Sequence, residues 1–328
     1  MRKIRIAALI LLTIILSILA TTGAFAKFRF AVMADSRKSK DEPVNIEEFR
    51  KVLAQMKKIS PQPQFVFFPG DMVRGMDTSY SGMTHQYTVW KNAVTAYYPI
   101  SIFYLGVGNH ETNNGDIHSH AEIAFADIFP EFKPTEELLG YNRTVYYLDY
   151  DNSRLFMLNT NHTRANHQVD STQREWLAKN LNQKPHDFIF MHEPAYPTSS
   201  HIGSSLDVVP AERDAFWDLV DDANATLVFV GHEHYYARRH IDNAFNSEYK
   251  NKIYQVTTGS CGAPTYTAIA LNMLNKLDSN KRFLRTTNID VHPISVYHFA
   301  IVDVAGKRVT TTVYNVNGKI IDRFTVYR

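Results

Sequence analysis

Apolar residues in this chain come in short runs that stop abruptly on polar side chains. Five of these runs end on a residue able to bind a metal or to sit beside one. They are FRFAVMAD at Asp35, FVFFPGD at Asp71, IFYLGVGNH at Asn109 and His110, FIFMH at His192, and TLVFVGHEH at His232 and His234. Runs of this length, rich in Val, Ile and Phe and closed by glycine or a polar group, predict strands buried on both faces of a parallel sheet. After the first run, residues 45–60 place Ile46, Phe49, Val52, Leu53, Met56 and Ile59 at helical spacing, with Asn45 as N-cap and Pro61 as the stop. Further helices are predicted near 85–97, 120–128, 172–183 and 210–222, the last opening on Pro210. Residues 144–161 read as a hairpin turning at Asp151, Asn152 and Ser153.

Beyond about Arg238 the pattern changes. Four strand-like segments (IYQVTTGSCG, SVYHFAIVDV, RVTTTVYNV and KIIDRFTVYR) are joined in part by Ala-Gly-Lys and Asn-Gly-Lys turns. The stretch 265–290 predicts a helix followed by a polar loop. No repeat, low-complexity tract or linker interrupts the chain. The predicted class is therefore α/β: two packed mixed β-sheets flanked by helices, in a single domain over residues 27–328.

The first 26 residues stand apart. Arg2, Lys3 and Arg5 precede an apolar stretch from Ile6 to about Ala20, and Ala24-Phe25-Ala26 has the small-x-small form of a cleavage site. This predicts a secretory signal peptide cut before Lys27, with an uncleaved anchor as the alternative. The formal charge of the whole chain is +2; removing three cations and no acids takes it to −1. The basic excess thus belongs to the leader, and neither a nucleic-acid surface nor, after cleavage, a stable membrane anchor is expected. One cysteine, Cys261, excludes an intrachain disulfide and reads as a small buried residue. Together these point to a secreted or periplasmic protein.

Ligands gather where the carboxyl ends of parallel strands converge. Two aspartates, an asparagine and three histidines delivered to one rim form an oxygen–nitrogen donor set suited to Mn, Fe or Zn. Two metals about 3.5–4 Å apart can clamp a phosphate and activate a water, the chemistry that hydrolysis of a stable phosphate ester requires. A carboxylate such as Asp71 can bridge them.

The segments Asp35-Ser36-Arg37, Gly70-Asp71, Gly108-Asn109-His110-Glu111, His192 and Gly231-His232-Glu233-His234 resemble the motifs of calcineurin-like metallophosphoesterases, over roughly residues 28–240. MHEPAY, GHEHYYAR and the STQREWL helix look closest to the purple-acid-phosphatase branch. The resemblance implies a sandwich of that family's type and two metals, one on Asp71, Asn109, His192 and His232, the other on Asp35, Asp71 and His234. It implies that hydroxide held there attacks phosphorus in line, with His110 touching the phosphate or protonating the leaving group. His201, nine residues after His192, is a candidate for the same role, or else an exposed loop histidine. The expected partner is a small phosphorylated substrate.

Two positions depart from the family pattern. Most of the superfamily carries a histidine where this chain has Arg37, and purple acid phosphatases draw a tyrosine ligand from the position of Arg74. An arginine has no lone pair to offer a metal. Three readings follow: a first metal held weakly by three protein ligands and water, Arg37 or Arg74 clamping a substrate phosphate, or a guanidinium standing in for one metal's charge. The first is preferred because Asp35 and His234 are retained; without the tyrosine no purple chromophore is expected. Glu111 is predicted to orient His110. Tyr196, Tyr235 and Tyr236 line a substrate pocket or pack as core, and His162 is the remaining histidine predicted to come nearest the site. A catalytically weak phosphate- or nucleotide-binding protein, using the same cleft, is the alternative function.

Overall fold

The computed structural model describes residues 27–39, 41–266 and 279–328. The leader at 1–26 and most of the apolar half of 265–290 lie outside the described residues. No helix among the described residues is long and apolar enough to cross a membrane.

In chain order the strands are β1 (Lys27–Val32), β2 (Phe65–Pro69), β3 (Phe103–Gly106), β4 (Glu136–Glu137), β5 (Tyr146–Tyr150), β6 (Ser153–Met157), β7 (Asn161–His162) and β8 (Ala165–Asn166). They continue as β9 (His186–Met191), β10 (Leu227–Val230), β11 (Tyr236–Ile241), β12 (Ile253–Thr258), β13 (Ile289–Ile294), β14 (His298–Ala305), β15 (Arg308–Asn315) and β16 (Ile320–Tyr327). The helices are α1 (Ile46–Met56), α2 (Tyr80–Thr95), α3 (Ala121–Ile128), α4 (Ser171–Asn180), α5 (Pro210–Asp222) and α6 (Ser279–Thr286). One sheet runs β16-β15-β14-β1-β2-β3 and the other β13-β11-β12-β10-β9-β6-β5-β4, with β7 and β8 paired apart. Both large sheets are mixed. β1, β2 and β3 are parallel neighbours, as are β6, β9, β10 and β12, and antiparallel strands extend each set.

Alternation along the strands builds the layers. Phe67 turns toward the second sheet and stacks on Phe190, ring centroids 4.1 Å apart at 7°. Phe190 stacks in turn on Phe229, and Phe30 meets Phe188 edge-on. Phe68, one residue on from Phe67, points the other way, onto Phe49 of α1 and Trp90 of α2. On β9, Ile189 and Met191 likewise face a second buried cluster with Trp176 of α4 and Trp217 of α5. Two sheets packed face to face with helices outside is the predicted architecture.

Local differences have local causes. Asn45 occupies the cap position of α1 but makes no side-chain cap hydrogen bond; its amide nitrogen donates to the Gly262 carbonyl at 2.7 Å. Helix α2 begins at Tyr80, ahead of the predicted 85, since Ser79 caps it through the Gly82 amide and Met83 of its first turn is buried. Within 265–290, where a helix and then a polar loop were predicted, the described residues from 279 form helix α6 and the start of strand β13. Leu284 anchors that polar helix by burial, and Arg239 ties its end by donating to the carbonyls of Leu284 and Thr287.

Candidate metal centre

All five signal-bearing runs are parallel strands, three in one sheet and two in the other, and their carboxyl ends meet where the sheets face. Asp35 follows β1, Asp71 follows β2, Asn109 and His110 follow β3, His192 follows β9, and His232 and His234 follow β10. The chain must turn sharply there. Asp35, Asp71 and His232 adopt φ of 60°, 52° and 69°, a left-handed geometry that costs free energy and concentrates at functional sites. The motif glycines give the side chains room. A Cβ on Gly108 would lie 2.4 Å from Asp71 Oδ1, and one on Gly231 would lie 2.5 Å from Asp35 Oδ2.

The buried carboxylates come first. One ligand atom each from Asp35, Asp71 and His192 falls within 4.8 Å of the others. Asp35 accepts from the His232 amide at 3.0 Å. Burial lifts its carboxyl well above the usual range, the Asp71 charge lifts it further, and Arg37 opposes both. Burial also works against ionisation of Asp71, yet His192, His110 and Arg37 together draw its carboxyl below the usual range. Glu111 is fully buried beside them. Its carboxylate accepts from the amides of Asp71, Val73 and Gly108 at 2.8, 2.9 and 2.7 Å, while burial and the Asp71 charge push it up to about 8. Glu111 therefore does not orient the His110 ring, as predicted; it fastens the β2 and β3 loops to each other.

Backbone carbonyls set the histidines. A carbonyl only accepts, so the ring nitrogen facing it carries the proton and the other presents a lone pair. His192 Nδ1 gives its proton to Pro69 O at 3.0 Å, His234 Nδ1 to Pro264 O at 2.9 Å, and His110 Nδ1 to Arg74 O at 2.7 Å. His232 does the reverse, donating from Nε2 to Ser204 O at 2.8 Å. Burial holds His110, His232 and His234 below the ordinary imidazole range, His234 at about 3 with Arg37 adding to the effect. The lone pair of His192 Nε2 thereby faces Asn109 Oδ1 at 3.2 Å and Asp71 Oδ1 at 3.3 Å. The Asn109 amide nitrogen is turned away, donating to Asn114. Lone pairs converge here with no proton between them, in a setting of three buried carboxylates. That donor set fits a transition-metal cation.

The two arginines differ. Arg37 reaches two of the candidate ligands: Nε donates to Asp71 Oδ2 at 2.9 Å, and Nη2 lies 3.3 Å from His234 Nε2. Arg74 Nη1 approaches His110 Nδ1 at 3.2 Å, but that nitrogen is already protonated toward Arg74 O, so the two donors only abut. Arg74 also lines a cleft of about 370 Å³ with Pro43, Met76, Asp77 and His85. A wider groove of about 740 Å³ shares Asp41, Pro43 and His85 with it, and neither is lined by any of the candidate metal-binding residues.

The family model for calcineurin-like phosphoesterase matches residues 28–236. The chain belongs to the calcineurin-like phosphoesterases. No curated protein matches it in sequence. Among solved structures it is similar to a purple acid phosphatase from yellow lupin (Lupinus luteus), with TM-score 0.67 and 15% identity over 92% of this chain. The chain spans only 54% of that enzyme. It is also similar to PhoD, with TM-score 0.66 and 12% identity over 93% of this chain and 74% of the other. A dimetal phosphatase from Danio rerio gives TM-score 0.56 and 13% identity over 92% and 98%. These likenesses are to the fold.

This phosphoesterase brings His201 to the centre as well. Its ring lies 3.8 Å from that of His232 between centroids, and burial lowers it to about 4. His162 pairs with Glu122, and Tyr235 and Tyr236 are core. Tyr196 is buried against Trp217 and Phe245. Sequence reasoning missed the glutamates that follow two of the candidate histidine ligands. Glu193 is buried and takes hydrogen bonds from Asn161 and His167. Glu233 is buried and accepts from the amides of Thr198 and Ser199, fixing the loop that carries His201. The signal was present as a His-Glu pair at 110–111, 192–193 and 232–233. Tyr266 was also missed.

Proposed function

We propose that this calcineurin-like phosphoesterase is exported and hydrolyses esters of a small phosphorylated substrate at a site with one strong and one weak metal position. Asp71, Asn109, His192 and His232 would hold the strong ion; Asp35, Asp71 and His234 would hold the weak one. When bound, the ions neutralise the phosphate oxygens and acidify a water. The observation that carries the reading is the convergence of the His192, Asn109 and Asp71 lone pairs within 3.3 Å.

The protein's own residues do the rest. Water adds to phosphorus, the bond to the ester oxygen breaks, and that oxygen takes a proton. His110, its Nδ1 committed to Arg74 O, presents a bare Nε2 that takes the proton released by the attacking water and hands it to that oxygen. His201 assists from the His232 side. Arg74, beside His110 and at the edge of the cleft, is placed to take a phosphate oxygen pair. Arg37 divides its donors between substrate and the first-metal ligands. Its grip on Asp71 and His234 supports the weak first position, because an ion entering there must share or displace the guanidinium. Arginine at both departures also motivates the second reading, a phosphate-binding protein of low turnover.

The test uses mature protein, its start at Lys27 verified by mass, assayed on a monoester and a diester alongside metal analysis. Turnover of either ester that rises with bound metal is expected. Phosphate binding with no hydrolysis across the panel would select the second reading.

A further inference from the structure

The loop after β12 does more than leave the sheet. The amides of Gly262 and Ala263 donate to the Asp35 carbonyl at 3.0 and 2.8 Å, and Pro264 O fixes the His234 tautomer. The Tyr266 amide then donates to His234 O at 3.3 Å, and Ser295 Oγ holds the Tyr266 carbonyl. Its backbone is thus tied to both metal-ligand loops. The side chain has two contacts. Its ring lies flat on His234, centroids 4.7 Å apart and 1° from parallel. Its hydroxyl lies 2.7 Å from His201 Nε2. On the other side of His201, Nδ1 lies 3.0 Å from Ser204 Oγ, whose own proton points at the His201 carbonyl. Nδ1 is then the donor to Ser204, and the tyrosine donates its proton to Nε2.

We propose that Tyr266 is a positioning residue that locks two parts of the centre with one side chain. Its hydroxyl holds the His201 ring against His232, and its ring holds the His234 imidazole toward Asp35. The proposal rests on the reading of His201 as a residue that serves the reaction by bracing His232, both its ring nitrogens being held by Ser204 and Tyr266, and of His234 as a ligand. An aromatic plate without the hydroxyl should keep the second duty and lose the first. The two substitutions that separate these duties are Tyr266→Phe and Tyr266→Ala.

The experiment measures kcat, KM, retained metal and inhibition by inorganic phosphate in Tyr266→Phe, Tyr266→Ala, His201→Ala and the Tyr266→Phe, His201→Ala double variant. Tyr266→Phe should keep the parent's metal content and KM but lose kcat by the roughly 10–100-fold typical of removing a partner that orients an active residue. The double variant should be no slower than His201→Ala, since the hydroxyl then has nothing to hold. Tyr266→Ala should also lose metal, and phenylalanine should rescue that loss. Parent kinetics in Tyr266→Phe while His201→Ala is slow would overturn the proposal and leave the His201 role standing. A Tyr266→Phe loss that persists in full without His201 would overturn it too. Parent rates and parent phosphate inhibition in His201→Ala would instead remove the reading beneath it, and the proposal with it.

Discussion

Alanine at His192 or Asn109 is expected to abolish phosphoester turnover while the chain stays folded. His192 sits fully buried at the end of β9, with Nδ1 spent on Pro69 O and Nε2 aimed at Asp71 and Asn109. Asn109 contributes its oxygen because Asn114 takes its amide nitrogen. Neither side chain has another evident duty, since each makes its hydrogen bonds within the centre or to its supporting loops. The loss in kcat/KM should exceed the roughly 10–100-fold that follows removal of a supporting partner. Circular dichroism and the denaturation midpoint should stay near the parent's. Full activity in both variants would sink the ligand assignment.

Replacement of Glu111 by alanine should act first on stability. Three backbone amides, of Asp71, Val73 and Gly108, donate to its buried carboxylate. A buried donor left without a partner costs about 1–3 kcal/mol, so three orphaned together should cost about 3 kcal/mol or more even after the loops relax. The β2 and β3 loops would then part, carrying Asp71 away from Asn109, and metal retention should fall with stability. Glu111→Gln keeps an acceptor oxygen but turns an amine toward the amides, so an intermediate loss is expected. Urea denaturation of the three proteins checks this. An unchanged midpoint for Glu111→Ala would show that other groups fasten the loops.

What the sequence made legible follows from strand geometry. A parallel strand buried on both faces has few polar positions, so a polar group at its carboxyl end stands out against Val, Ile and Phe. That is why Asp35, Asp71, Asn109, His192, His232 and His234 stand out in the sequence, and the structure gathers them at one rim. The two-sheet architecture followed from the same runs and the later change to alternating strands. Residues that act through loops were harder to see. Tyr266 lies in GAPTY, where no period marks it, and reaches His201 only because β12 returns beside β10. Glu111 was noticed but given the wrong partner, since a carboxylate next to a histidine in sequence faces the amides of other loops in space. Asn45 has the chemistry of a cap, but a carbonyl more than two hundred residues away claims its amide. Arg37 could be placed as a departure from the family, though not as a hydrogen-bond donor to Asp71. Its contact depends on how β1, β2 and β10 meet.

We propose that the two metal positions are unequal because Arg37 holds Asp71 and His234. Metal titration of the stripped mature protein, followed by calorimetry and by metal analysis after gel filtration, tests it most directly when run beside Arg37→His. The parent should take up one equivalent firmly and a second only at higher free metal. Arg37→His, freed of the guanidinium on Asp71 and given an imidazole, should hold two. A parent that binds two equivalents with one affinity, or that stops at one however much metal is added, would contradict the account. So would an Arg37→His protein that titrates like the parent.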